Sequence, residues 1–307
     1  MKAIRLHHLD GPKSLLYEEA PKPIPTDNQV CVRVYAAAIT PTEFDWYPTS
    51  HTPEGNIRPL PIILGHEFSG VVEAVGSECR DVQVGDPLYG LSDWFIDGAQ
   101  AEYCLTVPAN IAPKPVTLDH AQAASVPISA LTAWQALIDR AHVSAGQRVL
   151  IHGSAGGVGS CAVQLARCHK AHVIATASAE NIDFVKALGA DEVIDYRATA
   201  FETVVGGVDV VLDTVGGDTR DRSWGVLKKG GRLITIAADA EGLKEQRVHD
   251  AFFIVEPNRK QLMDISALID AGVIRPVVGA VLSMEHFRQA YEQKPVRGKN
   301  VLRIAEE

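Results

Sequence analysis

The stretch VLIHGSAGGVGSCAVQLA, residues 149–166, restricts the fold of this chain more than any other. It passes from a continuous apolar run, through Gly153, Gly156, Gly157 and Gly159, into a segment with helical spacing. A short run that is apolar throughout suits a strand covered on both faces, as in a parallel sheet. Val158, Cys161, Ala162 and Leu165 then fall on one stripe of a helix. Glycine has no Cβ, so a ligand can come close to the backbone of such a turn. The helix behind it presents N–H groups without intrahelical partners and a partial positive charge. These are the requirements of a diphosphate. Ser154 stands where the first glycine of a G-x-G-x-x-G pattern would be, and Gly156 and Gly159 hold the other two places. A plain tight turn is the alternative. The position of the loop, at the head of a repeating strand–helix pattern, favours the dinucleotide reading.

That pattern continues as HVIATA, AENIDFVKALGA, EVIDY, VDVVLDTV, RDRSWGVLKKG, RLITIA, AFFIVE and RKQLMDISALIDAG. Alternation of this kind implies an α/β fold, a doubly wound parallel sheet with right-handed crossovers. About six strands are expected, with AFFIVE as the sixth and RDRSWGVLKKG as a helix. Residues 119–272 form this domain. Residues 1–118 have a different texture: β-branched runs such as QVCVRVYAAAI, SGVVEAVG and AEYCLTVPANI, broken by Gly and Pro. Residues 273–307 return to it and end on the strand KNVLRI. The tail is expected to rejoin the first domain, giving 1–118 with 273–307 as a mainly β unit.

Composition narrows the partners. Apolar residues make up 46% and charged residues 22%, as in a globular protein with a core. The net charge is −9 and no basic cluster is longer than a pair such as Lys228–Lys229, so neither nucleic acid nor an anionic membrane is an expected partner. No apolar run approaches the ~18 residues of a bilayer span, and the start MKAIRLHHLDG has no signal-peptide core. A cytoplasmic location is expected. The five cysteines contain no C-x-x-C pair and read as reduced, small buried hydrophobes.

The end of the second strand bears on the choice of nicotinamide. A sheet that binds NAD usually carries an acid there, about 20 residues past the loop, for the ribose 2′-hydroxyl. Here the segment reads ATASAEN and the place falls near Ser178. A serine can donate to a 2′-phosphate that a carboxylate would repel, which favours NADPH. Ser178 also fits a helix N-cap, and the two roles are compatible. Lys186, Tyr196 and Arg197 are candidates for the phosphate grip, whereas Glu180, if turned inward, would support NAD.

With these motifs in place the chain resembles the medium-chain dehydrogenase/reductase superfamily, and within it the zinc-independent quinone oxidoreductase branch. The resemblance runs through GHEFSGVVEAVG, VGDPLYG, AEYCLTVP, SALTAWQAL, VLIHGSAGGVG, KALGADEVIDY, VVLDTVGG, GGRLITI and RGKNVLRI, nearly the whole length. It implies a Rossmann domain and a GroES-like, mainly β catalytic domain. It puts Thr40 and Thr132 near the nicotinamide, and Gly156, Gly157 and Val158 at the diphosphate with Ser154 in the same loop. It puts Ser178 and Tyr196 at the 2′-phosphate, with Asn181 beside them, and makes Lys299 a cofactor contact. Thr40 and Tyr47 are the candidate catalytic residues. Trp46 and Trp94, with Tyr47, are named as walls of an acceptor pocket, the alternative for each aromatic being core filling. Glu43 and Asp45, in the same loop, read as surface charges. The branch often forms dimers, and a homodimer through AFFIVE is one expectation.

A catalytic zinc needs three protein ligands and one open position. By the resemblance, the first ligand's place holds Thr40, the second holds His66 of GHE, and the third falls in VPI, where no side chain can ligate. No metal is expected; His66 reads as hydrogen-bonded and Glu67 as a structural partner. Without a Lewis acid, alcohol oxidation loses the group that steadies an alkoxide. Hydride addition to an acceptor that is already electron-poor remains. The expected activity is NADPH-dependent, zinc-independent reduction of a small-molecule quinone or α,β-unsaturated carbonyl. The alternatives are a zinc alcohol dehydrogenase and a non-enzymatic NADPH-binding protein.

Overall fold

The computed structural model describes residues 1–306. Its strands, in chain order, are β1 (Lys2–Leu6), β2 (Leu15–Glu19), β3 (Val30–Ala38), β4 (Ile62–Ile63), β5 (Glu67–Val75), β6 (Pro87–Leu91), β7 (Tyr103–Thr106), β8 (Ile111–Pro113), β9 (Arg148–Ile151), β10 (His172–Ala177), β11 (Glu192–Asp195), β12 (Val208–Asp213), β13 (Leu227–Thr235), β14 (Val278–Ser283) and β15 (Lys299–Arg303). They divide between two units. The first contains Met1–Ile128, Pro257–Gly272 and the chain from Pro276 onward, and the second contains Ser129–Glu256 and Val273–Arg275.

In the first unit a sheet runs in the order β14-β15-β3-β5-β6-β8, with β7 also paired to β3, and a smaller sheet runs β2-β1-β4. The long antiparallel pair β3–β5 sets Val32 opposite Val72 and Ala37 opposite Phe68. Gly70 is required there, because a Cβ would fall 2.2 Å from the Arg33 carbonyl oxygen. Val30, Val32, Val34, Phe68, Val72 and Leu88 fill one core, and Ile4, Leu6, Leu64, Phe287 and Leu302 another. The closing strand β15 pairs antiparallel with β3, Val301 opposite Ala38.

The helix Arg259–Asp270 belongs to this unit, although the strand–helix rhythm of the sequence assigns it to the nucleotide domain. Its contacts explain the difference. Tyr89 donates its hydroxyl to the Leu262 carbonyl at 2.7 Å, Arg259 donates to the carbonyls of Pro108 and Ile111, and Asp270 accepts from the Thr117 amide and hydroxyl. These bonds span more than 140 residues of sequence, so no local pattern announces them.

The second unit is a five-stranded sheet of order β11-β10-β9-β12-β13, parallel at every pairing. Leu150, Ile174, Val211 and Leu233 form its buried centre. The helix Gly157–Cys168 buries Cys161, Ala162 and Leu165 as its spacing predicts, while Val158 stays half-exposed at the loop.

Two expected elements differ. RDRSWGVLKKG is not one helix: helix Gly217–Ser223 and a tight turn Trp224–Val226 lead directly into β13, which takes Lys228 and Lys229 into the sheet. Gly230, at φ +79°, adopts a conformation foreign to a right-handed helix. AFFIVE adds no sixth strand. Ala251 ends the helix Gln246–Ala251, and Phe252 makes a single parallel bridge to Thr235. Of the cysteines, Cys31, Cys104 and Cys161 are buried as expected, but Cys79 is half-buried and Cys168 exposed. Among the described residues no helix is long and apolar enough to cross a membrane.

Candidate functional site

In the second unit β9 delivers the glycine loop. Gly153 has φ +69°, and a Cβ there would fall 2.3 Å from Thr214 Oγ1. A Cβ on Gly159 would fall 2.2 Å from the Gly153 carbonyl oxygen. Gly153 is demanded by its backbone conformation and its packing against Thr214, and Gly159 by the packing of the loop on itself. Gly156 is different: it is exposed, and the nearest atom to a Cβ there, Gly153 O, is 3.3 Å away. A Cβ there would be a tight contact but no collision, and Gly156 stands at the N-terminus of the helix Gly157–Cys168. Ser154 is fully buried. Its hydroxyl donates to Ile151 O at 2.8 Å and its amide to Thr176 O at 3.2 Å, tying the loop to β9 and β10. Thr132 lies in the helix Pro127–Trp134 and is buried.

The ends of β10 and β11 bring Ser178, Glu180, Asn181, Tyr196 and Arg197 together. Ser178 begins the turn Ala179–Asn181, donates its hydroxyl to Glu180 Oε1 at 3.0 Å and accepts from Asn181 Nδ2 at 3.1 Å. The Tyr196 amide donates to the Ala177 carbonyl, which fixes the phenol at the strand end with about half of its surface open. The Arg197 guanidinium lies 4.0 Å from Glu180 Oε1 and 5.5 Å from the Tyr196 ring centre. Lys186, on the helix Ile182–Ala187, is exposed.

The first unit carries a buried polar cluster. Glu67, at the head of β5, is fully buried. Its Oε1 meets Lys299 Nζ and faces the Thr40 hydroxyl at 3.5 Å, and its Oε2 accepts from the Ile128 amide at 2.9 Å. Lys299, at the head of β15, also donates to Thr40 Oγ1 at 3.0 Å. Burial pushes the Lys299 ammonium down to about 7, against the opposing pull of the Glu43 carboxylate. Thr40 is half-exposed and is the outward end of this triad.

Glu43 is the residue that sequence reasoning places wrongly. It reads as a surface charge and is 1% exposed, whereas Asp45 two residues on is open to solvent. Glu43 Oε1 accepts from the Gly65 amide at 2.8 Å and lies 2.5 Å from His66 Nδ1. No pattern in TPTEFDW distinguishes it, because its partners lie more than 20 residues away. His66 turns its other nitrogen to the Ile96 carbonyl at 3.3 Å, so both ring nitrogens face acceptors. The Trp94 ring lies 5.6 Å from His66, and Trp46 meets Trp94 edge-on at 5.5 Å. Tyr47 does not join these indoles; it stacks on His51 at 4.5 Å, nearly half-exposed.

This donor set does not fit a catalytic zinc. His66 has both nitrogens committed, Thr40 is tied to Lys299, and the third position contributes the Ile128 backbone amide. Among the described residues no group of three or more His, Cys, Asp or Glu side chains is placed to hold a metal ion.

Residues 26–117 match the family described as "Alcohol dehydrogenase GroES-like domain", and residues 188–302 the family described as "Zinc-binding dehydrogenase". A quinone oxidoreductase of Sus scrofa is 32% identical over 95% of this chain and 93% of its own. An NADPH-dependent alkenal/one oxidoreductase of Arabidopsis thaliana, chloroplastic, is 34% identical over 82% of this chain and 64% of its own. The structure of the quinone oxidoreductase from Coxiella burnetii superposes with a TM-score of 0.90 at 31% identity, covering 99% of both chains. The fold and the glycine loop define a two-unit oxidoreductase. The chain belongs to the medium-chain dehydrogenase/reductase superfamily, in its quinone oxidoreductase-like branch.

Proposed function

We propose that this protein is a zinc-independent reductase that uses NADPH to reduce a quinone or an α,β-unsaturated carbonyl compound. The observation that carries the reading is the donor set around Thr40 and His66. It offers hydroxyl and ammonium hydrogens where a zinc enzyme of this superfamily offers ligands. The Sus scrofa and Arabidopsis relatives, named for quinone and alkenal/one substrates, support the acceptor class, and the latter supports NADPH.

The bound nicotinamide would supply the hydride. Everything else falls to the chain. The amides at Gly156, Gly157 and Val158 hold the diphosphate, with the positive end of the helix behind them. Ser178, Asn181 and Tyr196 hold the ribose end. Trp46 and Trp94 offer an aromatic wall to a flat acceptor. As charge builds on the acceptor's carbonyl oxygen, the Thr40 hydroxyl leaves its 3.5 Å contact with Glu67 and donates to that oxygen. Lys299, 3.0 Å behind, keeps Thr40 oriented and compensates the charge on it. Water then protonates the resulting anion and leaves as hydroxide, which completes the reduction with Thr40 still a hydrogen-bond donor.

The test follows NADPH absorbance, its loss with an o-quinone or a simple enone and its gain with a primary alcohol and NADP⁺, each with and without a chelator. Chelator-insensitive turnover of the first two, lost at least tenfold in Thr40→Val, is expected. Chelator-sensitive alcohol oxidation would establish the zinc enzyme instead. Tight NADPH binding with no turnover on a broad panel would establish a non-enzymatic role.

A further inference from the structure

We propose that the first unit binds one resident water molecule among Glu43, Gln100 and Tyr291, and that this water holds the Glu43 carboxylate in line with His66. It rests on neither the nucleotide nor the acceptor reading.

Gly65 brings these groups together. Its φ is +83°, and a Cβ there would fall 2.6 Å from Gln100 Cγ. A glycine at this place lets the Gln100 side chain lie against the backbone. The Gln100 amide donates to Leu64 O at 3.0 Å, which fixes the root of that side chain. The Gly65 amide donates to Glu43 Oε1 at 2.8 Å. The carboxamide and the carboxylate therefore meet the same residue. Tyr291, on the helix Phe287–Glu292, completes the group. Its hydroxyl accepts from Gln100 Nε2 at 2.5 Å, and its ring packs on Phe44, the neighbour of Glu43, at 5.3 Å between centres. All three polar side chains are buried. Burial, and after it the Glu43 carboxylate, hold the Tyr291 phenol well above the ordinary tyrosine range, so it keeps its hydrogen.

Within the chain the hydrogens and lone pairs of this group do not balance. Glu43 Oε2 and Gln100 Oε1 are buried oxygens without a hydrogen-bond partner. Tyr291 accepts one bond, and among the described residues no acceptor takes its own hydrogen. Two unpaired acceptors and one unspent donor are the complement of a single water, which donates twice and accepts once. Buried waters make about three such bonds. Turning the Gln100 carboxamide over leaves the same requirement. Its oxygen would then take the Tyr291 hydrogen, and its NH2 group would donate to the water that donates to Glu43. A hard cation does not fit, since it takes six or more oxygens and only one of these three groups is an acid.

The other carboxylate oxygen gives the water its role. Glu43 Oε1 lies 2.5 Å from His66 Nδ1. With Oε2 also hydrogen-bonded, the carboxylate is held at both ends and cannot turn from the imidazole. His66 in turn lies 5.6 Å from the Trp94 ring, so its orientation bears on the indole beside it. Gln100 and Tyr291 are thus positioning residues for His66, acting through the water and Glu43.

The experiment uses the full chain. A high-resolution crystal structure locates the water, magnetic relaxation dispersion of the solvent counts long-lived internal waters, and proton NMR follows the hydrogen between Glu43 and His66. The wild type is expected to show one water within hydrogen-bond distance of Glu43 Oε2, the Gln100 carboxamide and the Tyr291 hydroxyl. Tyr291→Phe removes one of its partners. It should lower the count of long-lived waters by one and shift the Glu43–His66 resonance. Phe287→Leu changes an apolar member of the same core and should leave both readings as they are. A wild-type structure with no water at this place, with the Tyr291 hydroxyl bonded directly to Glu43, or with a cation there overturns the proposal. A water that is present while Tyr291→Phe and Phe287→Leu shift the resonance equally, or not at all, upholds the site and overturns its role in positioning His66.

Discussion

The two polar clusters of this molecule are built on opposite principles. In the second unit, Glu180 and Arg197 stand at strand ends in solvent, each more than half exposed, and Ser178 and Asn181 anchor the base of the group. In the first unit, Glu67 and Lys299 are closed away from solvent, with Thr40 and the Ile128 amide completing the bonds to the carboxylate. A charge in water can be exchanged or re-paired at little cost, whereas a charge in the interior holds only while its partner does. The first arrangement suits a recognition site that distinguishes similar ligands. The second suits a group that must keep one orientation.

The sharpest way to break this contrast is to remove one side of the buried pair. Lys299→Met leaves the Glu67 carboxylate buried without its cation and should cost about 3–5 kcal/mol, read as a lowered urea midpoint. The double variant Glu67→Leu/Lys299→Met should recover most of that loss. A double variant no more stable than the single one would show that the pair's hydrogen bonds, and not the stranded charge, carry the effect.

His152 tests whether the second unit also stakes stability on a buried group. Its Nε2 faces Ser223 Oγ and its Nδ1 faces Thr176 Oγ1, each at 3.0 Å. Ser223 donates its own hydrogen to Thr219 O, so Nε2 carries the proton of a neutral ring. Burial pulls this histidine from 6.5 down to about 4, with Asp213 opposing. The unfolded chain therefore binds a proton that the folded one refuses between those values. Stability is full above pH 6.5 and falls as the pH drops towards 4. The loss should be roughly 3 kcal/mol, and His152→Gln should lack it.

These clusters also differ in how legibly the sequence announces them. HVIATA becomes β10 over the same six residues, and the glycine loop sits between β9 and its helix as periodicity and glycine spacing predict. Both signals are local. The cluster at the ends of β10 and β11 was likewise readable as a cluster, because Ser178, Glu180, Asn181, Tyr196 and Arg197 all lie within a few residues of a strand end. What could not be read was which way Ser178 spends its one hydrogen. The buried cluster was mostly hidden. Glu43 pairs with His66 across 23 residues and Glu67 with Lys299 across 232. A glutamate in a loop has no mark that tells a buried ion-pair partner from a solvated charge. The sixth strand failed for a related reason: AFFIVE is apolar because Phe253 and Val255 are buried, not because the segment pairs along its length.

Gly156 sharpens the division between residues that hold the fold and residues that leave room for a ligand. A Cβ on Gly159 collides with backbone at 2.2 Å, whereas one on Gly156 comes no nearer than 3.3 Å to anything the chain supplies. Gly156→Ala should keep stability within about 1 kcal/mol. It should weaken NADPH binding about tenfold or more, measured by cofactor fluorescence, because the methyl group enters the diphosphate's space. Gly159→Ala should lose stability and binding together. Equal stability losses in both would mean that Gly156, too, serves the loop's own packing.

The smallest expected effect lies at the exposed pair. Arg197→Ala and Glu180→Gln should each shift the urea midpoint by no more than the equivalent of about 0.5 kcal/mol, since an ion pair at 4.0 Å between two largely exposed side chains contributes little. Adding salt should change neither value much, because most of the pair's attraction is already screened by water. Near-silence in stability is what separates this pair from Glu67–Lys299. A stability loss of more than about 1.5 kcal/mol in either variant would place Glu180 and Arg197 among the groups that hold the strand ends together, and the contrast would fail at its lighter side.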